Sequence, residues 1–214
     1  DISTDEQTIS FQGKHPDKLR ITFKRAGDGC MCNAICNDGY TYCFYFCNVP
    51  APKKYLDKGL SSLHARVLAL FDTLKDKNHR CGMDNLYMSA RFCKESFAHE
   101  KQVLLHGVTR RSGRGLPAHV IQDEVTQKSD LEKVCNTVKA AVLSGDPECP
   151  DLVAVSVYDT KPVHFLSMAC ESIKWIVKSR AVYNKQAEKQ EKMKFLRLNI
   201  NDDYNYVMGH VDIS

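Results

Sequence analysis

Apolar and polar positions partly alternate over residues 2–11, the period of a strand whose two faces meet different surroundings. Two further apolar runs, residues 30–35 and 40–46, are joined by Asn37-Asp38-Gly39, which predicts a hairpin. Pro50, Pro52, Lys53 and Lys54 then mark a loop. Leu60, Leu63, Val67, Leu70 and Leu74 recur at helical spacing, so residues 60–75 are expected as an amphipathic helix. Residues 80–83 read as a short strand that delivers Asp84 at its end. Ser89 opens a helix through about His99, and residues 103–108 form the next strand. This β-β-β-α-β-α-β order makes the chain α/β.

The second half reads less regularly. Ser129-Asp130-Leu131-Glu132 has the form of a capping box, and Leu131, Val134, Val138 and Val142 trace one helical face up to Gly145-Asp146-Pro147. Residues 152–158 and 163–168 predict a hairpin about Asp159-Thr160-Lys161-Pro162, with residues 173–177 as a third strand and Trp175 as a core residue. Lys185, Lys189, Lys192, Lys194 and Arg197, interleaved with Glu188 and Glu191, read as the solvated, salt-bridged face of a helix.

Composition narrows the picture only slightly. With 214 residues, 43% hydrophobic and 26% charged, the chain has enough material for one substantial core. No apolar run approaches the roughly 20 residues of a membrane-spanning helix. The chain opens on Asp1 and is expected to be a segment of a longer protein. A net charge of +4 is too mild to argue for nucleic acid by itself. Its distribution says more, because Arg110, Arg111 and Arg114 cluster with Gly113 and Gly115 in a loop suited to phosphates. Cys30, Cys32, Cys36, Cys43 and Cys47 crowd one stretch. Their spacing lacks the paired C-x₂-C of common zinc sites, so reduced thiols packed as small apolar residues are expected, with a zinc-binding structural module as the remote alternative.

Candidate chemistry rests on three short words far apart in the chain. They are Thr4-Asp5-Glu6-Gln7, Met83-Asp84-Asn85 and Gly209-His210-Val211-Asp212. Dispersed aspartates suit a site for two Mg²⁺ ions, which prefer oxygen ligands and clamp the attacking and leaving oxygens of an in-line phosphoryl transfer.

The surrounding residues resemble the piggyBac family of DNA transposases over nearly the whole chain. The resemblance runs through Asp5-Glu6-Gln7 with Phe11-Gln12-Gly13-Lys14, Asp84-Asn85 with Tyr87 and Ser89, and Gly107-Val108-Thr109-Arg110 ahead of Leu116-Pro117. It continues in the strand pair about Lys161-Pro162 and in Tyr204-Asn205-Tyr206-Val207-Met208-Gly209-His210-Val211-Asp212. It implies an RNase H-like DDE/DDD core. Residues 1–116 would form its first part, 117–200 an inserted α+β lobe, and 201–214 the return to the core. It further implies that Asp5, Asp84 and Asp212 hold two Mg²⁺ (or Mn²⁺) for DNA cleavage and strand transfer, that element ends and TTAA-type targets are the DNA partners, and that the full-length protein is a nuclear homodimer. This segment alone would be inactive. Arg110, Arg111 and Arg114, with Lys24 and Arg25, are the implied DNA contacts. Two departures stand out: residues 21–29 lack the prolines of the family's Tyr-x-Pro-x-Lys-Pro stretch, and His210 replaces a glycine. A catalytically silent DNA-binding protein of transposase descent is the alternative.

Overall fold

The computed structural model describes residues 1–20, 27–110, 116–117, 120, 138–143, 151–158, 161–184 and 189–212, the side chains of 184 and 210–212 excepted. Its first three strands, β1 (Ile2–Ser10), β2 (Gly29–Asn37) and β3 (Tyr40–Phe46), form an antiparallel meander. Asp38 and Gly39 close the β2–β3 hairpin at φ 48° and 75°, the pair of left-handed residues that a two-residue turn demands. A register shift between Ile35 and Cys36 leaves Tyr42 as the extra residue of a bulge.

Helices make the next two strands parallel to β1. A parallel strand needs a crossover, and a short helical turn α1 (Lys53–Leu56) followed by α2 (Ser62–Phe71) supplies one before β4 (Arg80–Met83). The helix α3 (Ala90–Phe97) supplies the second before β5 (Leu104–Thr109). Both longer helices start on serine caps: the Ser61 hydroxyl accepts from the His64 amide at 3.2 Å and that of Ser89 from the Phe92 amide at 3.1 Å. The spatial order β3-β2-β1-β4-β5 is that of an RNase H-like core, as expected.

The sheet does not stop there. β6 (Val138–Leu143), β7 (Leu152–Tyr158) and β8 (Pro162–Ser167) continue it through β8, which runs antiparallel to β5, into eight strands. Three strands of the 117–200 segment thus hydrogen-bond into the core sheet. Among the described residues, β9 (Trp175–Asn184) and β10 (Lys189–Leu198) form a separate two-stranded sheet.

Several expectations change. Val138 and Val142, read as one helical face, lie on β6; their four-residue spacing fits a strand face too, and pairing with β7 decides between the two. The remainder of that expected helix, residues 131–137, lies outside the described residues. The third strand after β8 pairs with β10 and not with the β7–β8 hairpin. Lys189, Lys192, Lys194 and Arg197 sit on β10, a strand in which Met193 and Phe195 alternate with lysines; the salt-bridged helix is not formed there, and Lys185 lies outside the described residues. Trp175 is 43% exposed and not a core residue.

Strand alternation sorts the side chains onto two faces. One face carries Ile2, Ile35, Cys81, Met83, Leu105, Ala154 and Leu166 into the main core beneath α2 and α3, where Phe71 and Phe92 are fully buried. Burying each such ring contributes about 1.5–3 kcal/mol. The opposite face carries Val153, Val155, Val157 and Phe165 against the last helix, α4 (Asn199–Asp212), whose Ile200 joins this second cluster. The thiols divide likewise. Cys36 meets Gln7 on the α4 face, whereas Cys43 reaches the Leu70 carbonyl on the other, at 3.9 Å. The described cysteines are free thiols.

Candidate active site

Register places the first two aspartates. Ile2, Ser3 and Thr4 of β1 lie beside Cys81, Gly82 and Met83 of the parallel strand β4, so Asp5 and Asp84 are the next residue on each. Parallel neighbours run about 4.8 Å apart, which brings two residues distant in sequence to adjacent backbone positions. Two residues before each aspartate stand Ser3 and Gly82, and strand alternation gives Asp5 the same face as Ser3. That face is the one α4 covers, because a Cβ on Gly82 would stand 2.7 Å from Val207 Cγ1 and 3.3 Å from Met208 Sδ. Both carboxylate residues are half-buried.

The third aspartate arrives on the helix. His106 of β5, beside Gly82 in register, donates through Nε2 to the Ile200 carbonyl at 3.2 Å and accepts at Nδ1 from Ser167 Oγ at 2.8 Å. A carbonyl only accepts, so the bond fixes the neutral Nε2–H tautomer. Burial pushes this imidazole down to about 4, keeping it neutral. Ile200 therefore rests on β5 and Val207 on β4, and the helix packs onward against β1 and β2. Its last residue, Asp212, follows Val207 by about 7.5 Å of helical rise. The Asp212 side chain is outside the described residues.

Around Asp5 and Asp84 the polar contacts are specific. Asp5 Oδ1 accepts from the Glu6 amide at 2.7 Å. Tyr87, in the turn after Asp84, receives the Asn33 Nδ2 hydrogen bond at 2.9 Å. Burial chiefly, then the nearby Glu6 and Asp5 charges, drives its phenol well above the usual range, so it stays protonated. Burial first, with Asp5 contributing, likewise raises the Cys36 thiol. Protonated sulfur is a poor competitor, and the donors left for a cation are carboxylate oxygens, the set a hard divalent ion prefers. Among the described residues no group of three His, Cys, Asp or Glu side chains is placed to hold a metal. The carboxylates of Asp5 and Asp84 have the donor chemistry that a divalent ion takes.

Arg110 stands at the same end of the sheet. It follows β5 directly, and its Nε donates to Oδ1 of Asn85, just beyond the neighbouring strand β4, at 3.3 Å with the side chain exposed. Arg111, Arg114, Lys24 and Arg25 lie outside the described residues. Two contributors escaped the sequence reading, the His106–Ser167 clamp and the Gly82 seat. A lone glycine inside Cys81-Gly82-Met83 is the signal for the second, since glycine in a strand marks close approach of another element.

Comparison with known proteins agrees with this architecture. A piggyBac transposase, solved by cryo-EM as a synaptic complex with hairpin DNA, superposes with a TM-score of 0.65 at 18% identity, over 99% of this chain and 38% of that one. The chain thus spans about two fifths of that transposase. No curated protein matches. The family described as Transposase IS4, of the DDE transposases, matches residues 1–214, and the chain belongs to that family.

Proposed function

We propose that this chain is the catalytic core of a cut-and-paste transposase that cleaves DNA strands and joins them to a target with divalent metal. The observation that supports the reading is the register of β1 against β4, by which the backbones of Asp5 and Asp84 are neighbours, while α4 crosses the face that carries Gly82. Asp5, Asp84 and Asp212 would hold Mg²⁺ or Mn²⁺, which activates a hydroxyl nucleophile and stabilises the leaving oxygen. The chain's own residues do the remainder. His106 and Ser167 fix the start of α4, and Asn85 holds the Arg110 guanidinium where a phosphate would approach. Element ends and a TTAA-type target as DNA partners, a homodimer, and a nuclear location complete the reading, by likeness to the piggyBac family.

The test uses the full-length protein with DNA carrying its own element ends and Mg²⁺. Cleavage with free 3′-OH ends is expected. Asp84→Asn should abolish it while DNA affinity changes little. Wild-type protein that binds these ends but never cuts them would refute the catalytic reading in favour of a silent DNA-binding descendant.

A further inference from the structure

The face that carries Asp5 continues past the carboxylate toward the free edge of the sheet, and there it is aromatic. Phe44 is 48% exposed and Phe11 41%. The Phe44 and Phe46 rings meet edge to face with centroids 5.2 Å apart, and Phe11 meets His15 in the same manner at 6.3 Å. Phe11, His15, Phe46 and Val49 line a shallow, almost wholly apolar hollow of about 260 Å³. Its distance from the carboxylates follows from the register. Phe44 pairs with Ala34, which pairs with Asp5, and Phe46 pairs with Cys32, which pairs with Gln7. Phe46 is therefore two strands across and two residues along from Asp5, about 12 Å between backbones.

Cations border the hollow. Lys14 and Arg20 line an adjoining depression that shares His15, and the Arg66 Nε donates to the Val49 carbonyl at 3.2 Å. Among the described residues the ion pairs engage Lys18 with Asp28 and His15 with Asp17, and none engages Lys14, Arg20 or Arg66. Ring faces that are exposed in Phe11 and Phe44 and half-buried in Phe46, beside cations without an ion pair among the described residues, suit a strand whose bases are free to stack and whose phosphates follow the positive charge. A duplex hides its base faces within its own stack. Only an unpaired strand can use such rings.

We infer that Phe46, with Phe11 and Phe44, forms a stacking platform for unpaired bases of a DNA strand running between the Lys14–Arg20 rim and the Asp5–Asp84 carboxylates. The inference rests on the proposed function in that it lays DNA on this face, but it concerns binding and is read without cleavage.

The experiment compares a short oligothymidine bearing one 2-aminopurine with the blunt duplex of the same sequence, each titrated into the full-length protein without metal. Wild type should quench 2-aminopurine on binding the single strand. Phe46→Ala should weaken single-strand binding by about five- to 150-fold, the loss of one base–aromatic stack, and restore the fluorescence while leaving duplex affinity unchanged. Phe46→Trp should retain the wild-type behaviour. Phe46→Leu keeps apolar bulk without a ring, so it should resemble alanine and carries the test if the alanine variant fails to fold. Absence of quenching in wild type, as another part of the protein covering the hollow would produce, overturns the platform. So does wild-type affinity in Phe46→Leu, or an equal loss for single strand and duplex. Failures are separable: Asp84-dependent cutting with Phe46-independent single-strand binding refutes the platform alone, and the converse refutes the catalytic reading alone.

Discussion

Gly82→Ala tests how the third aspartate is held. The new methyl would stand 2.7 Å from Val207 Cγ1 and 3.2 Å from Val207 Cβ, roughly 1 Å inside the separation of about 3.5–4.0 Å at which carbons pack. Val207 is fully buried and branched at Cβ, so it has little rotamer freedom with which to yield. Overpacking of this kind costs about 1–3 kcal/mol, against roughly 0.5–1 kcal/mol recovered by removing a flexible glycine from a strand. The net expectation is a loss of about 1–2 kcal/mol, which lowers Tm by roughly 2–8 °C in a chain of this size. Moving α4 by an ångström also moves Asp212, and under the proposed function a misplacement of that size should cost on the order of 100-fold in rate. Val207→Ala alone should cost about 2 kcal/mol through lost burial and a small void. The two changes relieve one another, so the double variant should be more stable than their sum by about 1 kcal/mol. Denaturant unfolding of all four proteins, with single-turnover cleavage of element-end DNA, measures both effects. Additivity within roughly 0.5 kcal/mol would show that α4 does not sit on Gly82 and refute the reasoning.

Three further outcomes follow from the same geometry. His106 is neutral when folded, with its pKa lowered from 6.5 to about 4, so the unfolded chain binds the extra proton between those values. Its contribution, about 3 kcal/mol, is present above pH 6.5 and lost as pH falls toward 4, and urea titrations across that window should lose this slope in His106→Gln. Arg110→Ala should weaken DNA binding for all sequences alike and reduce the salt slope by about one; an unchanged slope with a lower Tm would mean that Arg110 serves only to brace Asn85. Tyr55→Phe removes a hydroxyl held 2.7 Å from Asp72 Oδ1 and 2.9 Å from His99 Nε2, and should cost about 1.5–3 kcal/mol in chemical denaturation without changing DNA affinity.

Local chemistry made much of the first half legible from the chain. Asn37-Asp38-Gly39 supplies the left-handed residues of a tight turn and so dictates a hairpin; Ser89 offers a side-chain acceptor that starts a helix; Leu60 to Leu74 repeat at a helical period. The words around Asp5, Asp84 and Asp212 carry the resemblance to a transposase family in the sequence itself. Short-range signals were insufficient where two structures satisfy one pattern. Val138 and Val142 are four apart, which fits a helix face and a strand face equally, and only the presence of β7 alongside selects the strand. The lysine-rich run at 189–198 resembles a solvated helix until β9 offers it a full ladder of backbone partners. What no local pattern encodes is register between parallel strands, because the crossover α2 leaves the offset of β4 against β1 free. Packing settles it: Ile2, Cys81, Met83 and Leu105 must all enter one core, and a slip of one residue would turn them outward. That same alternation turns Ser3, Asp5 and Gly82 to the opposite face, where the glycine admits α4. The aspartates could be named from the chain. The adjacent backbone positions of Asp5 and Asp84 depend on burying the other face of the sheet.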